Sequence, residues 1–214
     1  MFDEGRRLVL LRHGRTAWNA TFRAQGHADI ELDDTGHEQA AAVAPWLVAL
    51  RPAALWSSDL ARARQTAAYV EQETGLAATL DPRLREYDVG EQTGLTMAEF
   101  RDQFPSEYTA WEDGRFEALP GAEGRADVLA RIVPACRELL ASVGPGQTAV
   151  AVTHGAALKV ALVALLGWEP SHGDSLGVLD NCAVAVLTES APGAPMRLAA
   201  YNAAPDFASF AAGG

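Results

Sequence analysis

Two segments of this chain end in the same pattern, LVLLRHG at residues 8–14 and AVAVTHG at 149–155. In each, an apolar run suited to a buried strand gives way to a polar residue, then histidine, then glycine. Ligands of open parallel sheets sit beyond the carboxyl ends of the strands, so His13 and His154 face one crevice if their strands are neighbours. Glycine after each histidine lets the backbone turn sharply and present N–H groups to an anion. One histidine at a strand end is more often structural, but the repetition, with Arg12 and Arg15 beside the first, argues for a site. Arg62 and Arg64 follow the short apolar run Ala54–Ser57, in the first turn of a helix that Asp59 is placed to cap, where the helix dipole adds to both cations. Arg12, Arg62, two histidines and a helix N-terminus suit a dianionic tetrahedral group, and phosphate is the plainest candidate.

Binding phosphate alone makes a binding module; turnover needs a nucleophile and a proton donor. Histidine, with an ordinary pKa of ~6.5, is largely neutral at physiological pH and competent to attack phosphorus. The departing alkoxide needs an acid, and a carboxyl held near other acids and partly withdrawn from water can supply the proton. The segment LREYDVGE at 84–91 offers three. Glu86 stands where the third strand ends, while Asp88 and Glu91 remain its rivals by chemistry alone.

The elements that must position these groups alternate. Strands are expected at Arg7–Leu11, Ala54–Ser57, Ala77–Leu80 and Thr148–Val152, with Ala183–Leu187 and Met196–Ala200 closing as an antiparallel pair. Thr35 and Glu38 form a capping-box signature for a helix reaching Leu50, which Pro45 should kink. A helix from Leu60 stops at Gly75, another covers Arg125–Leu140 around Pro134, and Ala156–Leu166 follows the second histidine. This rhythm implies an α/β fold with a mainly parallel central sheet flanked by helices, in one domain over residues 1–214. Residues 81–124 break it with Pro, Gly, aromatics and a capping box at Thr96–Glu99, which reads as a cap insertion over the C-terminal edge of the sheet.

These residues together resemble the histidine phosphatase superfamily, in its cofactor-dependent phosphoglycerate mutase-like branch. Leu11-Arg12-His13-Gly14-Arg15-Thr16 with Asn19 resembles its signature, and Ser57–Ala67 its second motif. Leu84-x-Glu86 with Gly90 and Gly94 resembles the segment supplying the acid, and Val152–Gly155 the fourth motif. The resemblance implies a three-layer sandwich and a role for each matching residue. His13 would become a phosphohistidine, Arg12, Arg62 and His154 would clamp the phosphoryl oxygens, Asn19 would bond the phosphate, and Glu86 would protonate the leaving alcohol. Arg23 would meet the non-phosphate part of the substrate. Gln92 replaces a frequent Trp, and Gly121-Ala122-Glu123-Gly124 lacks the usual Ser; both departures fall in the cap.

Between Leu95 and Val128 three arginines face eight acidic residues, which suits a second phosphate poorly. Hydrolysis of a small sugar or glycerate phosphate is therefore expected, with phosphoglycerate mutase as the alternative and a non-catalytic phospho-ligand sensor as a more distant one. The whole chain carries 28 Asp and Glu against 17 Lys and Arg, for a net −11, which disfavours nucleic acid and anionic membranes as partners. The longest apolar run, Val160–Trp168, is about half a membrane span, and Met1–Arg7 holds no apolar signal segment. Cys136 and Cys182 are too few for a disulfide framework. A cytoplasmic enzyme is expected, without metal or cofactor, since His27, His37 and His172 lack metal-site spacing; a homodimer is compatible with it.

Overall fold

Along residues 5–204, the part of the chain described by the computed structural model, strands and helices alternate as expected. The first half runs β1 (Arg6–Arg12), α1 (Ala17–Ala20), α2 (Asp34–Ala49), β2 (Pro52–Ser57), α3 (Ala61–Thr74) and β3 (Thr79–Leu80). Then follow α4 (Met97–Gln103), α5 (Pro105–Glu112), α6 (Arg125–Ala141), β4 (Thr148–Thr153), α7 (Gly155–Leu165), β5 (Val184–Glu189) and β6 (Met196–Ala203). One six-stranded sheet results, in the order β3-β2-β4-β1-β5-β6. β1, β2, β3 and β4 run parallel, while β5 pairs antiparallel with both β1 and β6.

Strand β1 is apolar on both faces because both are covered. Leu8 and Leu10 pack under α6 and α7 with Ile132, Leu139 and Leu158, whereas Val9 and Leu11 pack under α2 and α3 with Val43, Leu47 and Val70. All four β1 side chains are fully buried. The outcome is three layers, helix–sheet–helix, with the C-terminal ends of the adjacent strands β1 and β4 side by side at its centre. Arg12 on β1 is in register with Thr153 on β4, so His13 and His154 emerge as neighbours.

Two expected caps differ. The N-cap of α2 is Asp33, whose carboxylate accepts from the N–H of Gly36, and Thr35 lies inside the helix. Thr35 is instead engaged by Arg15, which donates to its hydroxyl at 2.8 Å and to Asp33 at 2.9 Å. Asp59 caps nothing. Its carboxylate takes both prongs of Arg85, at 2.7 and 2.6 Å, and the free Ala61 N–H at the start of α3 goes to Asp29. A cross-chain guanidinium outcompetes a local N–H for a carboxylate because the bidentate bond is charge-assisted at both ends. The Thr96–Glu99 capping box forms at the start of α4, and Gly75 ends α3 in the left-handed conformation. Pro45 and Pro134 both lie within continuous helices.

Candidate active site

His13 leaves β1 buried, 3% exposed as a residue, with its Nδ1 2.7 Å from the carbonyl of Gly14. A carbonyl only accepts, so Nδ1 carries the proton and the neutral ring keeps its lone pair on Nε2. Burial, then Arg62, then Arg12 push the His13 pKa well below the ordinary histidine value, which holds the ring in that neutral form. The turn after it admits only glycine: a Cβ on Gly14 would lie 2.5 Å from the carbonyl oxygen of Gly36. The N–H of Gly14 donates to Thr66 Oγ1, which itself donates to the carbonyl of Arg62, so the turn is tied to the first turns of α3.

Arg62 is fully buried and aims inward from α3. Its Nη1 and Nη2 donate to the carbonyls of Ala28 and Gly26 at 2.8 Å each, and its Nε donates to His154 Nδ1 at 3.2 Å. Burial, opposed by Glu86, lowers its pKa to about 10, so it remains a cation at neutral pH. His154 must therefore hold its proton on Nε2, which donates to Ser58 Oγ at 2.8 Å. The two imidazole centroids are 5.1 Å apart. With both ring nitrogens taken, a direct bond from His154 to a ligand requires exchanging Ser58 or Arg62 for it. Burial, then the charge of Arg62, push the His154 pKa well below the ordinary histidine value and keep it neutral too.

Arg12 reaches over Gly155, where a Cβ would stand 3.4 Å from its Nε, and it donates through Nη1 to the carbonyl of Leu179. Its Nε is buried without a partner. Asn19 commits Oδ1 to the N–H of Thr16 and to Asn181 Nδ2, so any ligand contact it makes goes through its own Nδ2. Glu86 sits at the N-terminus of α7, where Oε2 accepts from the N–H of Ala156 at 3.0 Å and Oε1 from that of Ala157 at 2.8 Å. Of the three candidate acids, Glu86 alone lines the cavity that holds His13; Asp88 lines a neighbouring one and Glu91 is exposed.

That cavity, about 390 Å³, is bounded by Arg12, His13, Asn19, Arg23, Arg62 and Glu86 among others. Arg23 is on its wall but tied off, donating to both oxygens of Glu99 and to the carbonyl of Gly94. Arg64 lies elsewhere, exposed and donating to the carbonyl of Asp59. Three residues given no role from the sequence belong here: Ser58, which holds His154; Gln25, whose buried Oε1 lacks a partner on the cavity wall; and Arg131, which grips the backbone of the Glu86 loop. Ser58 and Arg131 act through partners distant in the chain, His154 and the Glu86 loop, which their own spacing does not reveal.

Val89, Ala156 and Lys159 also bound a second cavity, of about 300 Å³, so the two adjoin. Tyr87, Phe100, Trp111 and Phe116 from the segment 81–124 wall it, with Val160 and Val163 of α7 opposite. Tyr108 does not line it but stacks on Trp111 at 6.0 Å. Four acidic side chains, Asp88, Glu107, Glu123 and Asp174, border it against Arg125 and Lys159. Among the described residues, no group of His, Cys, Asp and Glu is arranged to hold a metal ion, and no helix is long and apolar enough to cross a membrane.

Known proteins are similar to this chain in sequence and fold. A glucosyl-3-phosphoglycerate phosphatase of Mycobacterium tuberculosis is 37% identical over 95% of this chain and 97% of its own. A solved structure of mycobacterial glucosyl-3-phosphoglycerate phosphatase with VO3 matches with a TM-score of 0.83 at 37% identity, covering 93% of this chain and all of that one. A metal-independent phosphoserine phosphatase of Arabidopsis thaliana is 33% identical over 84% of this chain and 75% of its own. With the model of that family matching residues 8–202, the chain belongs to the histidine phosphatase superfamily, branch 1.

Proposed function

We propose that this protein is a metal-independent phosphomonoesterase that works through a phosphohistidine on His13. The observation that carries the reading is the fixed His13 ring, with Nε2 unprotonated, in one cavity with the guanidinium groups of Arg12 and Arg62 and the carboxyl group of Glu86. Nε2 attacks phosphorus in line, the P–N bond forms, and the P–O bond to the substrate's alcohol breaks as Glu86 gives that oxygen its proton. Water then attacks phosphorus, Glu86 takes the water's proton, and phosphate leaves from Nε2. Arg12, through its unpartnered Nε, and Arg62 stabilise the phosphoryl oxygens in both steps, with Asn19 assisting through Nδ2. His154 and Ser58 hold Arg62 at the angle this requires.

The substrate class follows from the adjoining cavity and from the relatives. Its aromatic walls and acidic border fit a carbon-rich, uncharged group better than a second phosphate, which favours hydrolysis over mutase chemistry. Glucosyl-3-phosphoglycerate, the substrate in the names of two similar proteins, has such a group beyond its phosphate-bearing glycerate. Action in the cytoplasm belongs to the same proposal, supported by two free, buried cysteines. The test is a panel with EDTA present, comparing glucosyl-3-phosphoglycerate, 3-phosphoglycerate, phosphoserine and a nucleotide, with an assay for 2-phosphoglycerate alongside. The expected result is phosphate release, fastest from the first compound, and acid-labile, base-stable phosphoenzyme that His13→Ala abolishes. Turnover by His13→Ala, or 2-phosphoglycerate as the main product, overturns the reading.

A further inference from the structure

In the loop that carries Glu86, the N–H groups of Leu84 and Arg85 pair with the carbonyls of Asp81 and Pro82. The next carbonyls, at positions 83–86, meet no backbone donor among the described residues, yet buried backbone acceptors require partners. Side chains supply all four. Thr153 donates to the carbonyl of Leu84 at 2.8 Å, and Arg131, from α6, donates to those of Arg83, Arg85 and Glu86 at 3.0, 2.7 and 2.7 Å. The same guanidinium is aimed by Glu123, which accepts from Nε at 2.9 Å and from Nη2 at 2.7 Å. Glu123 also accepts the N–H of Asp88 at 2.9 Å, closing the loop from its other side. Burial raises the Glu123 carboxyl pKa, but the bonds from Arg131 and Asp88 outweigh it and hold the group below the ordinary carboxylate value. His27 adds a bond from Nε2 to the carbonyl of Glu86.

Glu86 is thus held at two points, its backbone against α6 and its carboxylate against the N-terminus of α7. The nucleophile and clamp belong to β1, α3 and the end of β4, and no bond from Arg131 reaches them. We propose that Arg131, aimed by Glu123, is a positioning residue that sets the distance between the Glu86 carboxyl and the leaving oxygen. This rests on Glu86 being the acid, and it assigns to α6 a task in one half of the chemistry only. Proton transfer needs the acid within about 2.6–3.2 Å of the oxygen it serves. A misplacement of ~1 Å can cost about 10²-fold. An ammonium at position 131 cannot reach three carbonyls and a carboxylate together.

The experiment compares Arg131→Lys, Glu123→Gln and Glu86→Gln on an alkyl phosphate and on p-nitrophenyl phosphate, reading phosphohistidine formation in single turnovers. Alkyl phosphates need the proton, and p-nitrophenolate leaves without it. The alkyl-to-aryl rate ratio is independent of how much protein is folded, so a less stable variant still reports. For Arg131→Lys and Glu123→Gln the ratio is expected to fall by about tenfold or more, inside the ~10²–10⁴ range of general acid catalysis lost in Glu86→Gln. Adding Arg131→Lys to Glu86→Gln should lower the ratio no further, because the strut then has no acid to position. Equal losses on both substrates, or a further fall in the double variant, overturn the proposal. A normal ratio in Glu86→Gln itself removes the acid assignment and the strut with it, whereas a fall there with none in Arg131→Lys removes the strut alone.

Discussion

At the residue scale, His13 depends on a proton it does not hold. Nδ1–H is committed to Gly14, and only Nε2 is left to be protonated or to attack. Burial and two nearby guanidinium groups depress its pKa, and burial with Arg62 does the same for His154. Below about pH 6.5, histidines in the unfolded chain take up protons that these two refuse in the native state. Stability should therefore fall as the pH drops from 7 to 5, with no such loss above ~6.5, and urea midpoints at both pH values measure it. A His154→Gln variant should show a smaller acid loss. The His13 ring signals in an NMR titration of the free enzyme should show no midpoint near 6.5; one found there would mean that His13 is solvated and unshifted. Arg62 offers a second test, since its fork bonds two carbonyls and an imidazole at once. Arg62→Lys should lower kcat/KM by roughly 10²–10³, the cost of a lost preorganised donor. Near-normal kinetics would reduce Arg62 to a point charge.

At the scale of elements, the sequence was most legible where the signal was local. Strand ends in His-Gly, the Gly75 stop and the Thr96–Glu99 box depend on neighbours a few residues away, and each formed as read. Thr35 and Asp59 were misread because the groups that engage them, the guanidiniums of Arg15 and Arg85, come from other parts of the chain. The contact of Gly36 with Arg15 is a joint of the site. A Cβ there would stand 2.0 Å from the carbonyl oxygen of Arg15, and Gly36 itself crowds Gly14 on the turn after His13. No flexible side chain is available to yield, since the crowding atoms are backbone. Gly36→Ala should cost about 1–3 kcal/mol, the usual range for overpacking, seen as a lower urea midpoint. It should also slow phosphohistidine formation, because relieving the clash displaces the segment that holds His13. A variant of normal stability and rate would show that α2 can move without disturbing the turn.

At the scale of the whole molecule, the proposed function divides the labour between a cationic end that holds phosphate and the segment 81–124, which meets what the phosphate is attached to. The phosphoryl end is cationic and buried, built from β1, α3 and the β4–α7 junction, and its residues were readable because each lies beside a strand end. The adjoining cavity is drawn from 81–124 and from α7, and its members share no spacing, so only folding brings Tyr87, Phe100, Trp111 and Phe116 together. Acidity in the cap is partly spent on structure, with Glu99 pairing with Arg23 and Glu123 with Arg131. The remainder, including Glu107 and Asp174, borders the aromatic chamber and disfavours an anionic occupant. If that chamber receives the carbon part of the substrate, removing one wall should discriminate by substrate size and leave the chemistry alone. Trp111→Ala is the sharpest case, because the indole lines the chamber while lying outside the catalytic cavity. The loss of one well-filled contact is worth ~1–3 kcal/mol, so kcat/KM for glucosyl-3-phosphoglycerate should fall by about 10–200-fold. For ethyl phosphate, too small to enter the chamber while phosphate is bound at His13, it should change by less than about threefold. Parallel losses on both substrates would make the cap a structural cover, and no loss on either would place the carbon part of the substrate outside the chamber.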